Sequence, residues 1–209
     1  MNVLQTVVSS LLMAGGLAGA AAEPEVPAAH SHESMAAEAV SGDSLYQLSI
    51  KLTTSQGEPL DLDSFRGRPL LVAMFYSRCT SVCPILTMTL QRLDLALTET
   101  ERANVRVLMV SLDAAHDSPA ALAEFAATHH LDGGRWVVAR AQSDDVRTLA
   151  AALGVRYRAL PDGTFNHSTV ISLLDRAGVI RARTTALTEV DPEFLGAVRS
   201  MAQAETESR

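Results

Sequence analysis

Cysteine is scarce in this chain: there are two, Cys79 and Cys83, among 209 residues. No disulfide framework can hold such a fold, and a domain with this much apolar material does not need one. Positive charge is also in short supply, with 17 Lys and Arg against 24 Asp and Glu, a net charge of −7. No basic run stands out, so the footprint expected for nucleic acid or for an anionic membrane surface is missing. There is no internal repeat. What remains is ordinary globular composition, 47% hydrophobic and 20% charged, at a length that suits one domain with extensions.

The N-terminus has a different character. "MNVLQTVVSSLLMAGGLAGAAAEPEVP" carries no charged side chain before Glu23, and its apolar stretch fades into Gly and Ala. "AGAAA", ending at Ala22, offers small residues at the −1 and −3 positions of a cleavage site, before the helix-hostile "EPEVP". Residues 1–22 are therefore expected to be a signal peptide. The competing reading is a short uncleaved anchor, although the Gly/Ala-rich half is weakly apolar for a segment that needs about 20 residues to span a bilayer. No cysteine ends the segment, which excludes a lipidated N-terminus. Export to the periplasm, or a tether facing it, would place the cysteines in an oxidising compartment. Residues 23–42, rich in Ala, Glu, Pro and Ser, read as a flexible linker, with His30, His32 and Met35 as incidental soft donors.

From residue 43 the pattern turns globular. "LYQLSIKLTTSQGEPLDLDSF" predicts a hairpin broken at Gln56-Gly57, and "RPLLVAMFYS" predicts a buried central strand. "PILTMTLQRLDLALTETE" predicts one helix with Leu86, Leu90, Leu93 and Leu97 on one face. Strand "NVRVLMVSLD", helix "SPAALAEFAATHH" (capped by Ser118, with Pro119 first), strand "RWVVAR" and a helix ending at Gly154 follow. Two strands around Arg176-Ala177-Gly178 and a last helix complete the domain, with residues 204–209 as a tail. The expected class is α/β: a central mixed sheet flanked by helices, with an N-terminal β-hairpin. The cysteine pair sits where the first core strand opens into the first core helix, as in thioredoxin-like folds.

The loop "FYSRCTSVCP" leaves three readings open: an exchange couple, a structural clip, or part of a metal site. Pro84 favours the first helical position, which would make Cys83 the N-cap, with its thiol pKa lowered by the helix dipole. Four residues apart, the Cα atoms would lie about 6 Å from each other, close enough for a disulfide or for two ligands on one ion. A five-residue ring stabilises little by loop closure, which weakens the clip. His167, after Pro161-Asp162-Gly163 and just before a buried strand, would enter beside this loop. Two thiolates and an imidazole form a soft set suited to Cu(I) and tolerant of Cu(II).

"FYSRCTSVCP", "VSLDAAHDSP" and "NHSTVISLLDRAG" together resemble the Sco/SenC family of copper-binding, thioredoxin-like proteins, over the whole globular part from Leu45 to the final helix. The resemblance implies copper ligands at Cys79, Cys83 and His167, and an acidic residue, Asp113, orienting the site from behind. It implies a metallochaperone that assists assembly of the binuclear copper centre of cytochrome c oxidase. Its partners would be the copper-bearing oxidase subunit, other copper chaperones and a thiol reductant. The alternative is a thiol-disulfide oxidoreductase that reduces the cysteines of a copper-receiving partner, with Cys79 attacking and Cys83 resolving. Two departures stand out: Thr80 after the first cysteine, where proline is common, and His116, an extra candidate ligand or an exposed loop residue. His129 and His130 are expected to complement a helix dipole, Asp117 and Ser118 to cap, and Met74 and Met88 to fill core. Arg78 and Thr80 are neighbours of Cys79 in sequence only, a poor basis for peroxidase chemistry.

Overall fold

The computed structural model describes residues 43–131 and 133–203. The expected signal, linker and tail segments, with His30, His32 and Met35, lie outside them. Strands β1 (Lys51–Thr54) and β2 (Pro59–Asp61) form the expected hairpin. Then come β3 (Leu70–Phe75), α1 (Val82–Leu95), α2 (Glu99–Asn104), β4 (Arg106–Ser111), α3 (Pro119–Thr128), β5 (Trp136–Ala141) and α4 (Ser143–Leu153). The chain closes with β6 (Tyr157–Ala159), β7 (Phe165–His167), β8 (Ile171–Leu174), β9 (Ile180–Thr184) and α5 (Pro192–Gln203).

Seven strands form one sheet in the order β2-β1-β5-β4-β3-β8-β9. β3, β4 and β5 run parallel and the outer strands antiparallel, so the sheet is mixed as expected. All six residues of β3 are buried, because successive side chains enter opposite cores. Leu71, Ala73 and Phe75 join Leu86, Leu90, Leu122 and Phe194 on the face covered by α1, α3 and α5. Leu70, Val72 and Met74 meet Val146, Leu149 and Leu153 of α4 on the other. Each fully buried leucine contributes roughly 2 kcal/mol of apolar transfer.

Local signals explain most boundaries. Ser118 accepts the Ala121 N–H at the start of α3, and Gly154 ends α4 in the left-handed region at φ 75°. The single helix expected after Cys83 is two. Thr98 and Glu101 form a reciprocal capping box that starts α2 afresh, three residues beyond α1. A second difference matters more for the site. Strands β6 and β7 pair only with each other, forming a ribbon around Pro161-Asp162-Gly163 that is separate from the main sheet.

Candidate metal centre

The cysteine loop hangs between β3 and α1. Cys79 and Cys83 are both free thiols and both buried, at 6% and 0% exposure. The loop is held from below by Asp117, a fully buried carboxylate that accepts from the Ser77 N–H, the Ser77 hydroxyl and the Ser111 hydroxyl. Asp117 is therefore no helix cap, contrary to expectation: it pins the cysteine loop to the end of β4. Ser118 does cap, as expected.

The expectation that Cys83 is the N-cap with a lowered pKa is overturned. Helix α1 already begins at Val82, which leaves Cys83 inside its first turn and Pro84 one position further on. Proline is tolerated there because first-turn N–H groups have no helical acceptor. The N–H of Cys83 points to the sulfur of Cys79 at 3.4 Å, so Cys79 takes the acceptor role at the helix start. Burial alone would raise the Cys79 pKa. Hydrogen bonds from the Cys83 N–H, the Cys83 thiol and Ser81 outweigh it and bring the group down to about 7. Burial pushes the Cys83 thiol up instead, and the neighbouring Cys79 adds to the rise.

His167 is the last residue of the short β7, just ahead of the buried β8 as expected, and its ring lies beside Cys83. Its Nε2 lies 3.8 Å from the sulfur of Cys83. Its Nδ1 lies 3.2 Å from the Ser168 carbonyl. A carbonyl only accepts, so Nδ1 carries the proton and the Nε2 lone pair faces the sulfur. Burial lowers the His167 pKa, partly offset by the Ser168 bond, and keeps the ring neutral at neutral pH. Tyr76, which the sequence reading passed over, packs its ring 5.2 Å from Phe165 and edge-on 6.0 Å from His167. Among the described residues no three His, Cys, Asp or Glu side chains already stand as a closed metal-holding group.

Asp113 touches none of the three. Its buried carboxylate accepts from Arg78 Nη2 at 2.6 Å and pairs with His116 Nδ1 at 2.8 Å. Burial would raise its pKa, but the Arg78 and His116 bonds hold it below the usual carboxylate range. Any influence on the cysteines runs through Arg78, the neighbour of Cys79. His116 is exposed and committed to Asp113. His129 packs against Phe125 at 4.4 Å, and burial lowers its pKa, so it acts as an aromatic filler and not as a cation for the helix dipole. Met74 is core, but Met88 is 45% exposed and is not. No described helix is long and apolar enough to cross a membrane.

A thioredoxin-like α/β domain with a cysteine pair at the β3–α1 junction and an imidazole beside its second thiol defines the class. The model of the SCO1/SenC family matches residues 39–203, and the chain belongs to that family. It is 30% identical over 80 residues to the SCO1 protein homolog of Bacillus subtilis, covering 38% of this chain and 41% of that relative. The aligned part thus spans about two fifths of that relative's length. ScoI of Bradyrhizobium japonicum, solved with copper bound, superposes with a TM-score of 0.62 at 20% identity, over 73% of this chain and 96% of that one. BsSco belongs to the Sco family of cytochrome c oxidase assembly proteins, and a disulfide switch has been identified in it. It superposes with a TM-score of 0.63 at 20% identity, over 73% of this chain and 90% of that one.

Proposed function

We propose that this chain is a copper metallochaperone that assists assembly of the binuclear copper centre of cytochrome c oxidase, holding its cargo through Cys79, Cys83 and His167. The observation that carries this reading is the 3.8 Å between Cys83 Sγ and the His167 Nε2 lone pair. Two donors on one ion, at about 2.3 Å for sulfur and about 2.0 Å for nitrogen, are separated by about that distance. The thiolate–thiolate–imidazole set is soft, as Cu(I) requires, and accepts Cu(II). ScoI of Bradyrhizobium japonicum was solved with copper bound, which supports the same cargo here.

With its pKa brought down to about 7 by the bonds from Cys83 and Ser81, Cys79 is partly thiolate at neutral pH before any metal binds. Cys83 loses its proton as metal binds, so loading releases protons and is pH-dependent. The copper-bearing oxidase subunit would receive the metal, with other copper chaperones upstream and a thiol reductant keeping the pair open. Export, read from residues 1–22, would place the exchange in the periplasm, and mass spectrometry of the mature N-terminus tests it. Copper titration of the reduced protein is the test of function. One equivalent is expected for the parent, with affinity lowered at least about tenfold in His167→Ala; equal affinity would exclude the three-ligand site.

The asymmetry of the two thiols favours a second reading, reduction of a partner's disulfide. The Cys79 thiolate attacks one partner sulfur, forming a mixed disulfide and releasing the first partner thiolate. Cys83, after losing its proton, attacks Cys79 Sγ and releases the second. This chain ends oxidised by two electrons and the partner reduced by two. Turnover in an insulin-reduction assay without copper would favour this reading over the first.

A further inference from the structure

His167 depends on the β6–β7 ribbon for its position, and the ribbon is weak by itself. Its strands are three residues each and pair with no other strand. A lone two-stranded hairpin is marginal in water, so it must be tied to the body of the domain. Two of its ties come from the cysteine loop. Tyr76 packs on Phe165. Arg78, directly before Cys79, extends Nη2 to the Gly163 carbonyl in the ribbon's turn at 3.2 Å. The same nitrogen donates to Asp113 at 2.6 Å and lies 3.1 Å from His116 Nδ1. One planar guanidinium therefore joins the cysteine loop, the β4–α3 loop and the ribbon.

We infer that Arg78 is a positioning residue, a latch that holds the ribbon closed so that His167 faces Cys83. This rests on the metal reading above for its purpose, but not for its geometry. Asp113 is the anchor of the latch: buried and ionised, it holds Nη2 at 2.6 Å, where the same nitrogen also reaches the Gly163 carbonyl. The device explains why a buried carboxylate that touches no candidate ligand stands so near the site.

The test uses the reduced full chain with Arg78→Gln and Arg78→Lys. Lysine preserves a point charge against Asp113 and so guards against simple unfolding, but its ammonium sits one bond closer to the backbone than Nη2 and cannot keep Asp113 and the Gly163 carbonyl both in reach. In metal-free protein, amide hydrogen exchange at Leu160 and Ser168, both bonded within the ribbon, should quicken on the order of tenfold in both variants. Amides of β3 and β4 should keep their protection. After Cu(II) loading, the nitrogen superhyperfine signal of the imidazole should weaken in both variants, with sulfur ligation retained. Unchanged ribbon exchange in both variants would overturn the latch, as would an equal loss of protection across β3 and β4. If the parent takes up no copper but ribbon exchange still follows Arg78, the latch stands and the metal reading alone fails.

Discussion

His167 Nε2 stands 3.8 Å from Cys83 Sγ across 84 residues of chain, its lone pair directed at the sulfur because Nδ1 is committed to the Ser168 carbonyl. That contact is made by two structures of unlike stability. Cys83 is locked into the first turn of α1 against a full core, whereas His167 rides on a two-stranded ribbon. The rigid partner supplies the sulfur and the adjustable one supplies the nitrogen. Under the proposed copper-carrying function, ligands that can be exchanged stepwise are needed, and the imidazole would be the one placed to leave first.

The two thiols should differ in reactivity. A lowered pKa puts the thiolate of Cys79 in place at lower pH than usual. Alkylation of metal-free, reduced protein by iodoacetamide should therefore rise as pH increases through about 7, below the usual thiol midpoint of about 8.5. Cys83, buried and shifted the other way, should stay unmodified until the protein unfolds. Peptide mass spectrometry at stepped pH reads both. Modification of Cys83 ahead of Cys79 would refute the assignment and restore the N-cap argument.

Asp117 should matter for stability although its hydrogen bonds go to Ser77 and Ser111 and not to Cys79, Cys83 or His167. Replacing it with alanine strips an acceptor from the Ser77 N–H and from the Ser77 and Ser111 hydroxyls, leaving buried donors unpaired. A loss of about 3 kcal/mol is expected. Urea unfolding of the reduced protein measures it, and a change below about 1 kcal/mol would show that the cluster is not the loop's anchor.

Much of this architecture is legible in the sequence because its signals are local. The apolar run at Leu70–Phe75, the leucines of α1 and the Ser118-Pro119 and Gly154 punctuation each declare an element within a few residues. The approach of His167 to Cys83 was legible through residue type and order. The α1–α2 break was also written locally, in Thr98 and Glu101, but an unbroken apolar period through Leu97 concealed it. The ribbon was not legible. Tyr157-Arg158-Ala159 and Phe165-Asn166-His167 are too short to show a period of two. The buried role of Asp117 and the reach of Arg78 depend on partners as far away as 40 and 85 residues, which no local pattern displays. The pKa order of the cysteines failed for a narrower reason. Pro84 sits later in the first turn than its commonest position, so the helix-start effect falls on Cys79.

Oxidation of the pair should abolish copper binding outright. A Cys79–Cys83 disulfide removes both thiolates, and disulfide sulfur is no substitute as a metal ligand. His167 would be left as a single neutral imidazole beside them, and one such ligand does not retain a metal through dialysis. The reduced chain should keep one equivalent of copper, the oxidised chain close to none, and treatment with a thiol reductant should restore binding in full. Metal analysis after dialysis in each state reads this directly. Retention of one equivalent by fully oxidised protein would mean that the copper rests on other donors, and the assignment of Cys79 and Cys83 as ligands would fall with it.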